Sequence, residues 1–117
     1  MICKPDALAQ GKGIFLTNEL ERIRDLPTCD QTVVQEYLSD PMLIDGLKFD
    51  MRVYVLLTSC EPLRIFVHKE GLVRFTTQAY QKVGPLSCQK DLDQSLVHLT
   101  NYSLQKDALE FRQPESS

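Results

Sequence analysis

The clearest pattern in the chain is an alternation that begins at Lys48, where Lys48, Asp50, Arg52 and Tyr54 interleave with Phe49, Met51, Val53 and Val55. Successive side chains of a strand point to opposite faces, so this predicts a strand with three charges on one face and an apolar row on the other. Shorter segments precede it. Ile2 to Lys4, stopped by Pro5, and Ile14 to Thr17 read as strands flanking a loop, Ala7 to Gly13, centred on Gly11-Lys12-Gly13. Asn18 predicts a helix start, because Asn18-x-x-Glu21 resembles a capping box and Leu20, Ile23 and Leu26 form one apolar stripe before Pro27. Thr32 to Leu38, rich in β-branched residues and closed by Ser39-Asp40-Pro41, predicts a buried strand.

Further along, Glu61-Pro62 and Glu70-Gly71 predict turns into Leu63 to His68 and Leu72 to Phe75, an antiparallel meander of three adjacent strands. Thr76 to Asp93 reads as a loop with a brief helical turn near Gln78, and periodicity leaves Leu96 to Ser103 undecided. The polar, breaker-rich segment 113–117 predicts a frayed tail. No internal repeat or interdomain linker is visible. The fold class expected is α+β: an antiparallel sheet with few short helices.

Composition adds mainly exclusions. At 117 residues, 43% hydrophobic and 25% charged, the chain fits one small domain able to bury a core. A formal charge of -3 without a Lys/Arg block gives no footprint for nucleic acid or for a membrane surface. Cys3, Cys29, Cys60 and Cys88 are scattered, with no C-x-x-C pair or histidine cluster, so they read as free thiols rather than a zinc or redox site. No basic-then-apolar leader opens the chain, and no apolar run reaches membrane-spanning length.

Candidate chemistry centres on anions. A nucleotide site needs cations for phosphate oxygens, backbone that can approach closely, and a strand edge for the adenine amino group. Lys4 at a strand end and Lys12 in the glycine loop could flank phosphates, although Gly-Lys-Gly alone is more often an ordinary surface turn, and neither a Walker loop nor a G-x-G-x-x-G turn is present. Lys48, Asp50 and Arg52 must either meet solvent or line a polar cleft where ligand groups satisfy them. Gln35 to Leu38 could simply end a core strand, Arg74 could be a surface arginine or a carboxylate fork, and a lone His98 is more often structural than catalytic.

Six blocks, in order, carry a resemblance: Ile2-Cys3-Lys4-Pro5; Gln10-Gly11-Lys12-Gly13-Ile14; Val34-Gln35-Glu36-Tyr37-Leu38; Pro41 to Gly46 followed by Lys48-Phe49-Asp50-Met51-Arg52-Val53-Tyr54; Glu70-Gly71-Leu72-Val73-Arg74-Phe75; and His98-Leu99-Thr100-Asn101-Tyr102-Ser103. Together they cover nearly all of the chain and resemble the tubulin tyrosine ligase-like family, its polyglutamylase branch more than the tyrosine ligase itself. The resemblance implies part of an ATP-grasp-type fold that phosphorylates a carboxylate with ATP and lets an amine displace the phosphate. It implies tubulin C-terminal tails and microtubules as partners, free L-glutamate as the amine, and a cytoplasmic, cytoskeletal location, with the cilium or basal body as a narrower alternative.

Carried over position by position, Lys4, Gln10 and Gly11 would meet ATP, Gln35, Glu36, Tyr37 and Leu38 would form the hinge that reads adenine, and Lys48, Phe49, Asp50, Thr100 and Asn101 would complete the nucleotide side. Arg74, Tyr102 and Ser103 would hold glutamate. Arg52, on the strand face of Lys48 and Asp50, is assigned here as the catalytic charge stabiliser near the transferring phosphoryl group.

The departures bear on activity. The family's Mg2+ ligands lie in a later aspartate strand and a Glu-x-Asn motif, and Asp107 and Glu110 match neither, so no metal ligand is assigned in this chain. Met1 stands where the family usually has tryptophan, and the preceding lobe is missing. Residues 1–112 are therefore expected to be the central part of the domain, truncated at both ends and inactive alone. The alternatives are an inactive nucleotide- or tubulin-binding fragment, a glycine-adding relative, and an α+β interaction module whose charged strand face is merely solvated.

Overall fold

A computed structural model describes residues 1–6, 11–27 and 31–112. Its elements in chain order are β1 (Ile2–Pro5), β2 (Phe15–Leu16), α1 (Leu20–Arg24), β3 (Thr32–Gln35), β4 (Leu43–Ile44), β5 (Leu47–Arg52), β6 (Val55–Cys60), β7 (Leu63–Val67), β8 (Leu72–Phe75), α2 (Gln89–Leu92), α3 (Ser95–His98) and α4 (Tyr102–Gln105). All strand pairs are antiparallel and the helices are one turn or little more, as an α+β reading expects.

Among the described residues the strands form three sheets, ordered β2-β1-β3, β4-β5-β8 and β6-β7. The inner faces of β1 and β2 meet the helical C-terminal third: Ile2, Leu16, Val83, Leu92 and Leu99 form the buried cluster, with Ile14, Tyr37 and Leu104 packed against it. Four polar side chains, Thr17, Thr76, His98 and Gln105, are buried with it. Each is hydrogen-bonded, as burial requires. Gln105 is typical. Its amide nitrogen donates to the Leu96 and Leu99 carbonyls, and its oxygen accepts from the Thr77 amide and hydroxyl, tying α4 to the loop after β8.

Several sequence expectations are corrected. The meander does not form: β7 pairs with β6, whereas β8 pairs with β5 in the register Phe49↔Phe75, Asp50↔Arg74, Met51↔Val73 and Arg52↔Leu72. Short connections favour neighbour pairing, but the His68 amide donates to the Tyr54 carbonyl and carries the chain back past the β5–β6 junction. Gly71 then lies so close to the Arg52 carbonyl that a Cβ would sit 2.5 Å from its oxygen. The long alternating strand is accordingly broken after Arg52, so only Lys48, Asp50 and Arg52 share its polar face.

Asn18 is not the helix cap. Glu19 occupies that position without a side-chain bond, while the Asn18 amide donates to the Pro85 and Ser87 carbonyls. β3 stops at Gln35 and Val33 and Val34 are exposed, so this is not a buried strand. The helical turn expected near Gln78 is displaced to α2 at Gln89, and the undecided segment 96–103 contributes to α3 and α4. Gln10, Cys29 and the tail 113–117 lie outside the described residues.

Candidate functional site

The polar face of β5 meets the segment joining α3 to α4, and this junction gathers most of the residues singled out from sequence. At its centre is Asp50. Opposite it in the ladder, Arg74 donates from Nε to Oδ1 at 2.8 Å and from Nη2 to Oδ2 at 2.5 Å, a two-pronged pair. Thr100 Oγ1 donates to Oδ2 at 2.9 Å. Burial raises the Asp50 carboxyl pKa, but the hydrogen bonds from Arg74 and Thr100 and the charges of Arg74 and Arg52 outweigh it and hold the group below its ordinary value. Asp50 is thus ionised at neutral pH.

Lys48, two residues earlier on the same face, has a different environment. Its Nζ donates to the His98 carbonyl at 2.7 Å and to the Tyr37 hydroxyl at 3.1 Å, and lies 4.7 Å from the Tyr37 ring centroid. Burial lowers its pKa, partly countered by Asp50 and reinforced by Lys4. Lys4 itself donates from Nζ to Gln35 Oε1 at 3.1 Å across the β1–β3 pair. The two lysines therefore approach from different sheets, near enough for one charge to be felt by the other.

The glycine loop reaches the same place. Gly11 has φ +80°, and a Cβ there would lie 2.8 Å from Asn101 Cγ, so the loop and the α3–α4 segment are in close contact only because residue 11 is glycine. Beside Asn101 opens a cleft of about 400 Å³ lined by Arg52, Arg74, Asn101, Tyr102, Ser103 and Lys106. Among the described residues no carboxylate forms an ion pair with Arg52 or Lys106. With Asp50 paired to Arg74 and its charge also felt by Arg52, the described lining of the cleft holds three cations and no carboxylate, a net positive surface that suits a carboxylate or phosphate ligand.

Lys4, Gly11, Gln35, Tyr37, Lys48, Asp50, Thr100 and Asn101 are thus linked by direct contacts or through-space charge, and Arg52, Arg74, Tyr102 and Ser103 share the adjoining cleft. Phe49 turns to the opposite face, packing its ring 5.9 Å from that of Phe75. Glu36 and Leu38 are exposed. Sequence reasoning did not select Lys106, although its place four residues after Tyr102 puts it on the same side of a helical turn. His98, read as structural, is buried beside Lys48. Among the described residues no three His, Cys, Asp or Glu side chains converge to hold a metal ion.

The site can be set beside known proteins. The family model for the Tubulin-tyrosine ligase family matches residues 1–116. The chain is 49% identical over 110 residues to human "Tubulin polyglutamylase TTLL6", an alignment that covers 94% of this chain and 12% of that protein. It is 50% identical over 111 residues to the "Probable beta-tubulin polyglutamylase" of Tetrahymena thermophila, covering 95% of this chain and 9% of the other. Human "Tubulin polyglutamylase TTLL13" is 50% identical over 105 residues, 90% of this chain and 12% of its own length. The chain spans about a tenth of the length of these relatives. A match over almost every residue, at this identity, means that the chain belongs to the tubulin-tyrosine ligase family.

Proposed function

We propose that this chain supplies the nucleotide-facing floor and the substrate-facing cleft of an ATP-dependent glutamate ligase that acts on glutamate side chains of tubulin tails. The observation that carries the reading is the polar face of β5. Lys48 is held by two hydrogen bonds, with Lys4 nearby, and the same strand leads through Asp50 into a cation-lined cleft. The names of the relatives, tubulin polyglutamylases at about half identity, select this chemistry over other uses of an anion site.

In this reading ATP, bound in an ATP-grasp-type site, supplies a phosphoryl group that activates an acceptor carboxylate, and the amine of free glutamate then displaces phosphate. The chain's own part is electrostatic. Lys4 and Lys48 fix phosphate oxygens, with Gly11, Gln35, Glu36, Tyr37, Leu38, Phe49, Thr100 and Asn101 shaping the nucleotide side. Gln10 is assigned there by resemblance. Arg52 stabilises charge that grows as the phosphoryl group transfers. Arg74, which spends Nε and Nη2 on Asp50, keeps Nη1 for the glutamate carboxylate, beside Tyr102 and Ser103. The Mg2+ ligands are assigned by resemblance to a later aspartate strand and a Glu-x-Asn motif, outside this chain. Tubulin tails on cytoplasmic microtubules, the cilium and basal body included, are the setting that this chemistry implies.

The test is incorporation of labelled glutamate into tubulin by the full-length protein that carries this segment. Lys4→Ala with Lys48→Ala should abolish ATP-dependent incorporation, and retained incorporation refutes the assignment. Incorporation of glycine instead of glutamate would move the protein to the glycine-adding relatives. Nucleotide or tubulin binding without incorporation of either would identify a binding protein.

A further inference from the structure

The two side-chain hydrogen bonds of Lys48 end on the His98 carbonyl and on the Tyr37 hydroxyl, and His98 has no role in the proposed function. His98 is 1% exposed, its ring wedged edge-on between Tyr37 (centroids 5.6 Å) and Tyr80 (5.7 Å). Tyr80 is itself anchored by its hydroxyl to the Ser39 carbonyl at 3.0 Å. The His98 backbone carbonyl accepts from Lys48 Nζ directly. Its ring acts at one remove.

The direction of each bond follows from what the partners can donate. The Asp91 carbonyl, 3.1 Å from Nε2, can only accept, so Nε2 carries the proton of the neutral ring. Nδ1 is then a bare acceptor facing the Tyr37 hydroxyl, 3.2 Å away, whose proton has Nδ1 and the Tyr80 hydroxyl oxygen as its acceptors. That commits the hydroxyl proton inward and leaves its oxygen lone pairs to Lys48 Nζ at 3.1 Å. An ammonium has three N–H donors; two end on His98 and on the hydroxyl that His98 orients, and one remains.

We propose that His98 is a positioning residue for Lys48: through its carbonyl and the Tyr37 hydroxyl it aims the remaining N–H and the charge of the ammonium at the nucleotide phosphates. The role rests on the reading of Lys48 as a phosphate-binding cation. It also ties the segment after β3 to β5 through the Tyr37–Lys48 bond. Buried hydrogen-bond chains of this kind act as a unit, and the loss of any member is felt by the last.

The experiment is a double-mutant cycle on ATP affinity in the full-length protein, measured by calorimetry with melting temperatures as a check on folding. His98→Leu and Tyr37→Phe should each weaken ATP binding about tenfold, the scale of one lost hydrogen bond to a charged group. His98→Asn, whose Oδ1 stands in place of Nδ1, should recover affinity to within about threefold of wild type. In a Lys48→Ala background His98→Leu should add nothing, because the residue acts only through that lysine. Multiplying losses in the double variant, or wild-type affinity for Tyr37→Phe and His98→Leu, would overturn the positioning role alone. Wild-type affinity for Lys48→Ala would overturn the nucleotide-site reading and the role of His98 with it.

Discussion

Asp50 and Arg74 face one another in the β5–β8 ladder and are joined by two hydrogen bonds, so one carboxylate both registers the two strands and aims the guanidinium that opens onto the cleft. Lysine cannot reproduce this. A single ammonium would satisfy one prong and leave no second nitrogen for a ligand. Arg74→Lys in the full-length protein should raise KM for glutamate about tenfold or more with a much smaller effect on KM for ATP, read from steady-state incorporation. Because about a third of each side chain is exposed, the stability lost with the pair should stay at about 1 kcal/mol in thermal melts.

His98 gives a pH signature. Burial lowers its pKa, a carbonyl bond to Asp91 opposes this, and the Lys48 charge lowers it further, so the folded ring resists protonation. The unfolded chain binds that proton near pH 6.5 and the folded one only at lower pH. Unfolding therefore takes up a proton in this window, and stability should fall as pH drops below about 6.5, by at most about 1.4 kcal/mol per pH unit. Denaturant melts at pH 7.5 and 5.5 should show the loss in wild type and a shallower dependence in His98→Asn; equal slopes would disprove the assignment.

The alternation at Lys48, Asp50 and Arg52 was legible because a period of two needs only local sterics. Its strand partner was not. Short turns point to β7 and β8 as neighbours, whereas the β5–β8 pairing depends on a backbone approach at Gly71 that no local pattern encodes. His98 could not be joined to Lys48 from sequence either, since four-residue helices such as α3 are too short to show periodicity. Asn18 had the chemistry of a cap, yet the cap position falls one residue later, at Glu19, and the Asn18 side chain is turned to the loop, where its Nδ2 donates to the Pro85 and Ser87 carbonyls. The Asp45-Gly46 turn between β4 and β5, with φ +51° and +75°, is a hairpin absent from the elements expected on sequence, although Asp-Gly is its usual signal.

β6 and β7 form a hairpin whose apolar side chains stay in solvent: Val55, Leu56, Leu57, Leu63, Ile65, Phe66 and Val67 are each more than half exposed. Apolar surface on that scale drives association. The 117-residue chain on its own should bind a hydrophobic dye and self-associate at micromolar concentration. Leu57→Lys with Ile65→Lys, neighbours across the ladder, should suppress both without moving Lys48 or Asp50. Light scattering alongside dye fluorescence would check it, and a monomeric, dye-silent wild type would contradict it.

Glycines separate local strain from global packing. At Gly71 a Cβ would lie 2.5 Å from the Arg52 carbonyl oxygen, a backbone atom that cannot rotate away, so Gly71→Ala must push β8 off β5. The expected loss is about 2 kcal/mol, as for other overpacked sites, and because Asp50 and Arg74 lie in the same ladder it should also raise KM for glutamate. Gly84 has nothing within 4 Å of the same atom and a φ outside the left-handed region, so Gly84→Ala should leave melting temperature and kinetics unchanged. Gly11→Ala falls between these cases. Its φ of +80° adds strain, and the 2.8 Å contact with Asn101 Cγ falls on a side chain that can turn aside, at the expense of the contact between the glycine loop and the α3–α4 segment. It should therefore weaken ATP binding more than glutamate binding, the reverse of Gly71→Ala. Parallel KM measurements for the two substrates across the three variants would show whether the two halves of the site fail independently, and identical profiles for Gly11→Ala and Gly71→Ala would refute their separation.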